Sequence, residues 1–384
     1  MATGRPRILF LAARYPAPAL RGDQVRALHL AQGLAEHATV RLLSFGAGSE
    51  PPIEGLEVRT VVSRPPARLA ANLTAPPRTP LQVRLFLDAA MRRAVAAELA
   101  DWRPDVLHVT LARMAPYLPA AGPFHRHLDL TDSLGLNMRM RAGSERGSAR
   151  AVFAAESRLM VAYEAGAVAR ADTASVVSEA DRAMPGLGRA AVIPNGADLD
   201  AFPFSERSDQ PPVLAFFGNL GYFHNVEPAV FLAQEVLPRV RRELPDARLL
   251  LVGARPAAAV RRLAEIDGVT LRADVPAMAA ALDDASLAVL PSFSGSGIKN
   301  KVLEAFCLGL PVVGNALGVQ GVDGAEDGRH LLVAEGADGI AAAALGLLRD
   351  RAARSRLAHE ARALIGERYT WGRQADRLLE LYGD

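Results

Sequence analysis

Two hydrophobic patterns alternate along the chain. Short continuous apolar runs, as in residues 8–13, are typical of strands that are buried on both faces of a sheet. Apolar residues spaced by three or four positions, as in residues 24–37, are typical of helices that pack against a sheet. This alternation predicts a mostly parallel, doubly wound α/β sheet. The first half contains predicted strands at 7–13, 38–45, 58–62, 106–110, 127–131, 172–178 and 191–198, and predicted helices at 24–37, 81–99 and 149–170.

The second half repeats this organisation after a polar, proline-rich segment at 201–212, which we interpret as an interdomain linker. A chain of 384 residues also exceeds the size at which one hydrophobic core keeps growing. We therefore predict an N-terminal domain at 1–200, a C-terminal domain at 213–360, a cleft between them, and a C-terminal helix at 361–384 that crosses back to the first domain. The predicted strands of the second half are 213–218, 247–253, 269–272, 287–291 and 311–314, and its predicted helices are 226–244, 257–265, 278–283, 299–308 and 352–382, the last interrupted at 365–366 and near 369–371.

Composition narrows the function classes. The balance of 44 Lys and Arg against 42 Asp and Glu gives a formal charge of +2, which argues against a nucleic-acid binder. The single cysteine, Cys307, cannot form an internal disulfide, and no Cys/His cluster has zinc-site spacing, so a cytoplasmic location is expected. The apolar run at 8–13 is too short for a membrane span. A position at the inner face of the cytoplasmic membrane is compatible with this sequence.

The segment 292–304 carries the clearest chemical signal. A Ser/Gly-rich loop follows an apolar strand and precedes a helix, which is the arrangement of an anion site at the carboxyl end of a parallel strand. Lys299 and Lys301 enter the first turn of that helix, where cations oppose the helix dipole, so either a bound anion compensates them or both are solvated surface residues. Glu304 follows one turn later and either accepts hydrogen bonds from ribose hydroxyls or forms a surface pair with Lys301.

Residues 297–315, which read Gly-Ile-Lys-Asn-Lys-Val-Leu-Glu and continue through Gly-Leu-Pro-Val-Val, resemble the Glu-x7-Glu donor motif of the retaining GT-B glycosyltransferases of family 4. The resemblance implies a GT-B fold, with two Rossmann-like doubly wound domains facing a cleft. It also implies that Glu304 holds the nucleoside ribose. The first glutamate of the motif falls at Ser296, where the backbone amides of Gly297 and Ile298 would replace its contact to the donor sugar.

Further stretches resemble the same family. Gly22 lies where the family has a glycine-rich loop near the donor phosphates and the acceptor, and Arg21 and Arg26 beside it are acceptor-binding candidates. Asn219 and His224 fall near the family's two diphosphate-binding cations, so Lys299 and Lys301 are the replacement candidates for that role. The remaining candidates are His127, Asp132 and Ser296 as catalytic residues, and Arg113 as a contact for an acidic acceptor. A turn-capping role for Asp132 is an equal alternative.

The resemblance implies retaining sugar transfer from a UDP- or GDP-type donor to a glycan, a lipid-linked or a small-molecule acceptor, as in bacterial exopolysaccharide and related glycan assembly. No cofactor and no metal are expected. The alternatives are a nucleotide-sugar epimerase of GT-B fold and a catalytically degraded protein that binds sugar nucleotides. A dinucleotide-dependent oxidoreductase is disfavoured, because no Gly-x-Gly-x-x-Gly follows the first strand.

Overall fold

The computed structural model describes residues 4–19, 21–206, 211–294 and 299–383. The chain forms two compact units. The first unit contains residues 1–196 together with 371–384, and the second contains residues 197–370. The chain therefore passes from one unit to the other twice, and its last helix belongs to the first unit.

The first unit is built on a parallel sheet of seven strands in the order β3-β2-β1-β4-β5-β6-β7. The strands are β1 (Arg7–Ala12), β2 (Thr39–Gly46), β3 (Glu57–Val62), β4 (Val106–Thr110), β5 (His125–Asp129), β6 (Thr173–Val176) and β7 (Ala191–Val192). The helices are α1 (Gly22–His37), α2 (Pro65–Leu73), α3 (Leu81–Arg84), α4 (Ala89–Asp101), α5 (Leu134–Ser144), α6 (Gly147–Arg170), α7 (Glu179–Arg182) and, from the end of the chain, α15 (Trp371–Gly383).

Side chains of β1 alternate between the two faces of this sheet, and both faces are buried. Ile8 and Phe10 pack with residues of α1 and α15, while Leu9 and Leu11 pack with residues of α4 and α6. The α1–α15 contact requires a glycine, because a Cβ at Gly33 would lie 2.9 Å from the Cβ of Ala375. Because helices cover both faces of the sheet, the central strand β1 is a continuous apolar run.

The second unit has a parallel sheet of six strands in the order β10-β9-β8-β11-β12-β13. The strands are β8 (Val213–Phe217), β9 (Arg248–Gly253), β10 (Val269–Ala273), β11 (Leu287–Val289), β12 (Val312–Gly314) and β13 (Leu332–Val333). The helices are α8 (Phe223–Phe231), α9 (Leu237–Glu243), α10 (Ala258–Leu263), α11 (Met278–Ala281), α12 (Asn300–Leu308), α13 (Gly336–Arg349) and α14 (Arg351–Arg368). Two doubly wound parallel sheets confirm the predicted fold class.

The structure departs from the predicted elements at three places. The predicted helix at 81–99 is two helices, because Asp88 caps a new one: its carboxylate accepts a hydrogen bond from the Ala90 amide at 2.7 Å. The predicted interruption at 365–366 is wrong, since α14 runs through both positions and ends at Arg368. The predicted strand at 127–131 is β5, which begins and ends two residues earlier. Helices α2, α5, α7 and α13 and strand β13 were not predicted from the pattern.

The ends of β8 and β9 lie in backbone contact. Gly253 closes β9 with φ +156°, and a Cβ at this position would lie 1.7 Å from the carbonyl oxygen of Gly218, the residue after β8. Gly218 itself has φ +131°. Both conformations are rarely adopted by residues with a side chain. The two glycines therefore set the path of the chain as it leaves β8.

We predict that Gly253→Ala destabilises the protein by at least about 2 kcal/mol, because the new methyl group collides with a carbonyl oxygen and strains the backbone. Gly346→Ala is the control, since Gly346 lies inside α13 with nothing within 4 Å of an added Cβ. That exchange is expected to stabilise by about 0.5–1 kcal/mol. Chemical denaturation measures both; equal effects would contradict the assigned contact.

Candidate active site

Each sheet contains one switch point, which is a pair of neighbouring strands whose following connections run in opposite directions across the sheet. In the second unit this point lies between β8 and β11, which pair through Leu214 and Leu287. Open parallel sheets bind ligands at the carboxyl ends of such strand pairs. The segments that leave β8 and β11 begin at Gly218 and at Leu290, and the second of them leads to Lys299 and α12.

Lys301 occupies the first turn of α12 and turns back towards the end of β8. Its Nζ donates a hydrogen bond to Asn225 Oδ1 at 2.7 Å and lies 4.3 Å from the centroid of the Phe216 ring. Burial lowers the pKa of this ammonium to about 8, against the opposing effect of Glu304. A cation with a pKa of about 8 is still mostly protonated at neutral pH, so it can pair with an anionic ligand.

Lys299 and Lys301 are the only lysines in the sequence, whose other basic residues are arginines and histidines. Lys299 is half-buried, and burial lowers its pKa. His224 lies close enough for the charge of Lys299 to act on it: burial first and Lys299 second lower the pKa of its ring. His224 Nδ1 also shares a hydrogen bond with Ser294 Oγ, which joins the start of α8 to the loop after β11.

Glu304 lies one helical turn after Lys301 and is half-buried. Burial raises the pKa of its carboxyl to about 7, although the charge of Lys301 acts in the opposite direction. In the described ranges, neither a hydrogen bond nor an ion pair engages this carboxylate, so its oxygens are available to a ligand. The structure thus brings Lys299, Lys301 and Glu304 together at the carboxyl edge of the sheet.

Asn219 and His224 lie in the segment after β8, and Asn225, which the sequence did not single out, organises that segment. Asn225 Nδ2 donates to the Asn219 carbonyl at 2.9 Å while its Oδ1 accepts from Lys301. Asn315 has a similar role after β12: it exchanges two hydrogen bonds with the backbone of Ser292, at 2.8 and 2.9 Å. Ser296, Gly297 and Ile298, which were expected to contact the donor sugar, lie outside the described residues.

In the first unit, Arg26 lies inside the protein. Its side chain is 1% exposed, and it forms a bidentate ion pair with Asp129, at 2.7 and 3.2 Å. The same guanidinium donates to the Pro194 carbonyl at 3.2 Å and to Asn195 Oδ1 at 3.1 Å. Burial raises the pKa of Asp129, but Arg26 outweighs this effect and brings the pKa down to about 2. The interior position and the full engagement of its guanidinium argue against the acceptor-binding role of Arg26, and we assign it a structural one.

His127 is also enclosed. Its two ring nitrogens form hydrogen bonds with the hydroxyls of Thr173, at 2.8 Å, and Ser175, at 3.0 Å. Burial lowers its pKa well below the usual value, so the ring is neutral. The burial of this neutral imidazole and the engagement of both nitrogens argue against a catalytic role, and in this structure His127 joins β5 to β6.

Asp132 and Arg113 lie beyond the carboxyl ends of β5 and β4. Both are half-buried. Asp132 accepts a hydrogen bond from Asn137 Nδ2 at 2.5 Å, and burial raises the pKa of its carboxyl. Arg113 donates from Nη2 to Gln82 Oε1 at 2.8 Å. These two side chains interact electrostatically, because Asp132 raises the pKa of Arg113 against the effect of burial.

Gly22 and Arg21 lie at the start of α1 and are exposed. Arg21 occupies the N-cap position in an extended conformation, and Gly22 begins the helix. No described atom lies within 4 Å of a Cβ placed on Gly22, so packing in this structure does not require a glycine there. Both residues therefore remain candidates for ligand contact.

Comparisons with known proteins agree with this architecture. Residues 211–350 match the family model of group 1 glycosyl transferases. The chain is 26% identical to glycogen synthase from Mycobacterium tuberculosis (strain CDC 1551 / Oshkosh) over 399 aligned residues, which cover 98% of this chain and 94% of that protein.

Two solved structures have similar folds. Sucrose-phosphate synthase from Thermosynechococcus elongatus matches with a TM-score of 0.72 and 20% identity, over 99% of this chain and 98% of that one. HepE from Anabaena, in complex with UDP and glucose, matches with a TM-score of 0.67 and 14% identity, over 98% and 99% of the two chains.

The fold is that of the GT-B glycosyltransferases. With a group 1 glycosyl transferase domain at 211–350, the chain is a glycosyltransferase similar to those of family 4, as the sequence predicted.

Neither metal binding nor membrane spanning has a structural feature behind it in the described part of the chain. No group of three or more His, Cys, Asp or Glu side chains in that part is arranged to hold a metal ion. None of the helices described is both long and apolar enough to span a membrane.

We predict that Arg26→Ala destabilises the protein by about 3–5 kcal/mol, because it leaves the buried Asp129 carboxylate unpaired. Removing both charges, in Arg26→Met with Asp129→Asn, is expected to recover part of that loss, because an amide oxygen at position 129 can still accept from the Thr131 amide and the Ser175 hydroxyl. Chemical denaturation provides the measurement. The control is Arg349→Ala, which breaks an exposed ion pair with Glu243 at 2.8 Å and is expected to cost no more than about 1 kcal/mol. A loss no larger for Arg26→Ala than for the control would refute the structural role.

Proposed function

We propose that this glycosyltransferase moves a sugar, with retention of its anomeric configuration, from a UDP- or GDP-type donor to a hydroxyl group of a glycan, a lipid-linked or a small-molecule acceptor. The observation that carries the proposal is the position of Lys301. This partly desolvated ammonium lies at the carboxyl edge of β8 and β11, where a parallel sheet binds nucleotides. Support for a nucleotide donor also comes from HepE, whose structure holds UDP and glucose.

The departing nucleoside diphosphate develops negative charge in such a transfer, and preorganised cations stabilise that charge. Lys301 is preorganised, since Asn225 and the Phe216 ring fix its Nζ before any ligand arrives. Lys299 lies two residues earlier and adds a second positive charge at the start of α12. We assign both lysines to the diphosphate, and we propose that they act without a metal ion.

Glu304 is assigned to the ribose of the donor. A carboxylate can accept hydrogen bonds from two vicinal hydroxyls, and the described structure leaves that of Glu304 free to do so. Glu304 lies three residues after Lys301 on the same helix. A group that can bind the neutral ribose therefore lies next to a group that can bind the anionic diphosphate. The match of Glu304 to the second glutamate of the family 4 motif supports the same assignment.

Asp132 is assigned to a hydroxyl of the acceptor. Its carboxyl lies beyond the end of β5, where it can accept a hydrogen bond from a hydroxyl, and burial raises its pKa above the ordinary value. The assignment of retention rests on the resemblance of 297–315 to the family 4 motif, which implies attack by the acceptor on the same face that the nucleotide leaves.

The activity is tested by incubation with a panel of UDP- and GDP-sugars and acceptors. The expected result is release of free nucleotide that requires an acceptor, with NMR of the product showing the anomeric configuration of the donor. An epimerised donor formed without acceptor would show the epimerase instead. Binding of a nucleotide sugar with no turnover of any pair would show a degraded enzyme, and an inverted product would refute retention.

We predict that Lys301→Ala and Glu304→Ala each weaken binding of the donor nucleotide by about 10- to 100-fold, because each removes hydrogen bonds to or from a charged group. Isothermal titration calorimetry measures the affinity. The matched controls are Arg248→Ala and Glu227→Ala, which remove one charge of the same sign from exposed positions of the second unit. Unchanged affinity in both site variants would place the donor elsewhere.

A further inference from the structure

The switch point of the first sheet carries a second set of charged side chains. It lies between β1 and β4, which pair directly while β2 and β5 flank them on either side. Arg14 follows β1 and Arg113 follows β4, so both arginines lie at the edge where a parallel sheet binds ligands. We propose that Arg14 and Arg113 bind an oxyanion, a phosphate or a carboxylate, carried by the acceptor. This inference rests on the proposed function and names the acceptor class.

The two guanidinium groups share one aromatic ring. The Cζ of Arg14 lies 5.6 Å from the centroid of Phe86, and the Cζ of Arg113 lies 5.4 Å from it. An aromatic ring attracts each cation, but the two cations repel one another. Burial first and the charge of Arg14 second lower the pKa of Arg113. An oxyanion placed against both groups relieves this repulsion and forms charge-assisted hydrogen bonds with each.

Arg113 also has more N–H groups than its hydrogen bond within the protein uses. A guanidinium offers five N–H groups, and Arg113 uses Nη2 for its hydrogen bond to Gln82. Its Nε is buried without a hydrogen-bond partner among the described residues. A buried donor left unpaired costs free energy, although Arg41 has one as well. An oxyanion can pair with the Nη groups of Arg113 beyond the one hydrogen bond that Nη2 donates to Gln82.

The segments that follow β4 and β5 each contain a residue with a positive φ. Leu111 follows β4 with φ +69°, and Thr131 follows β5 with φ +63°. A left-handed conformation is a genuine outlier for a β-branched residue such as threonine, and strain of this kind clusters at binding sites. Asp129 holds both turns: its carbonyl accepts from the Leu111 amide at 2.7 Å, and its carboxylate accepts from the Thr131 amide at 3.0 Å.

Two carboxylates restrict what binds there. Asp23 pairs with Arg14, and Asp132 lies within electrostatic reach of Arg113. Arg14 and Arg113 therefore do not form a general phosphate-binding site, since a free anion meets two negative charges there as well as two positive ones. A molecule that offers an oxyanion to the arginines and a hydroxyl to Asp132 satisfies both. The fitting acceptor is a hydroxylated molecule with an anionic group.

The experiment compares inorganic phosphate, glucose, glucose 6-phosphate and glucuronate by calorimetry, with the wild type and the variants Arg14→Ala and Arg113→Ala. We expect each oxyanion probe to bind the wild type, the two anionic sugars more tightly than phosphate, and glucose to bind least. Each arginine variant is expected to weaken the anionic probes by about 10- to 100-fold and to leave glucose unchanged. The two anionic sugars separate a phosphate from a carboxylate preference.

Arg93→Ala is the matched control, since it removes an exposed arginine from α4, and it is expected to bind the oxyanion probes as the wild type does. The titrations are repeated in a Lys301→Ala background, which removes binding of the probes at the lysines, so the binding that the arginine variants weaken there belongs to the first sheet. Arg14 is half-exposed, so its variant keeps the test valid where Arg113→Ala fails to fold. Absence of oxyanion binding, or binding that neither arginine variant weakens, overturns the inference. Free phosphate binding as tightly as the anionic sugars overturns the acceptor role.

Binding of UDP separates this inference from the proposed function. We expect both arginine variants to bind UDP or GDP with wild-type affinity, because the lysines of the second unit hold the nucleotide. A wild type that binds oxyanion probes through Arg14 and Arg113 but binds no nucleotide refutes the donor assignment and leaves the arginine site standing.

Discussion

A charge removed from water must be paired, and the two units meet this constraint differently. In the first unit, Arg26 and Asp129 pair with each other in the interior, and hydrogen bonds to Pro194 and Asn195 use the remaining capacity of the guanidinium. In the second unit, Lys301 receives one amide oxygen and the face of a ring. No carboxylate of the described residues lies within ion-pair distance of it. The first charge is satisfied within the protein, and we propose that the second meets the anionic part of a ligand.

The choice of lysine fits this difference. Apart from Lys299 and Lys301, every long basic side chain of this protein is an arginine. An ammonium is a compact charge whose pKa responds to burial, whereas a guanidinium stays charged and spreads over a planar fork. The space between the Phe216 ring and Asn225 holds the compact group, and burial tunes it to a pKa of about 8. At the edge of the first sheet, planar arginines stack on Phe86 instead.

Local pattern sufficed for most strands and for the start of α12, because both depend on neighbouring residues. It also brought Lys299, Lys301 and Glu304 to attention, since they lie on one short helix. It could not pair Arg26 with Asp129, which are 103 residues apart, or Lys301 with Asn225, which are 76 apart. For the same reason Arg26 and His127 were expected at the surface of a site. Asp88 is a local signal that was missed, and it would have divided the predicted helix at 81–99.

With two lysines in the sequence, NMR of protein labelled at lysine Cε gives two signals and tests the central claim directly. The account predicts that the signal assigned to Lys301, by its loss in Lys301→Arg, titrates near pH 8 in the free protein. Saturation with UDP or GDP is predicted to move that midpoint upward, because the diphosphate stabilises the ammonium. Titration of both lysines near the ordinary value of about 10.4, with no change on addition of either nucleotide, would contradict the assignment of this helix to the donor.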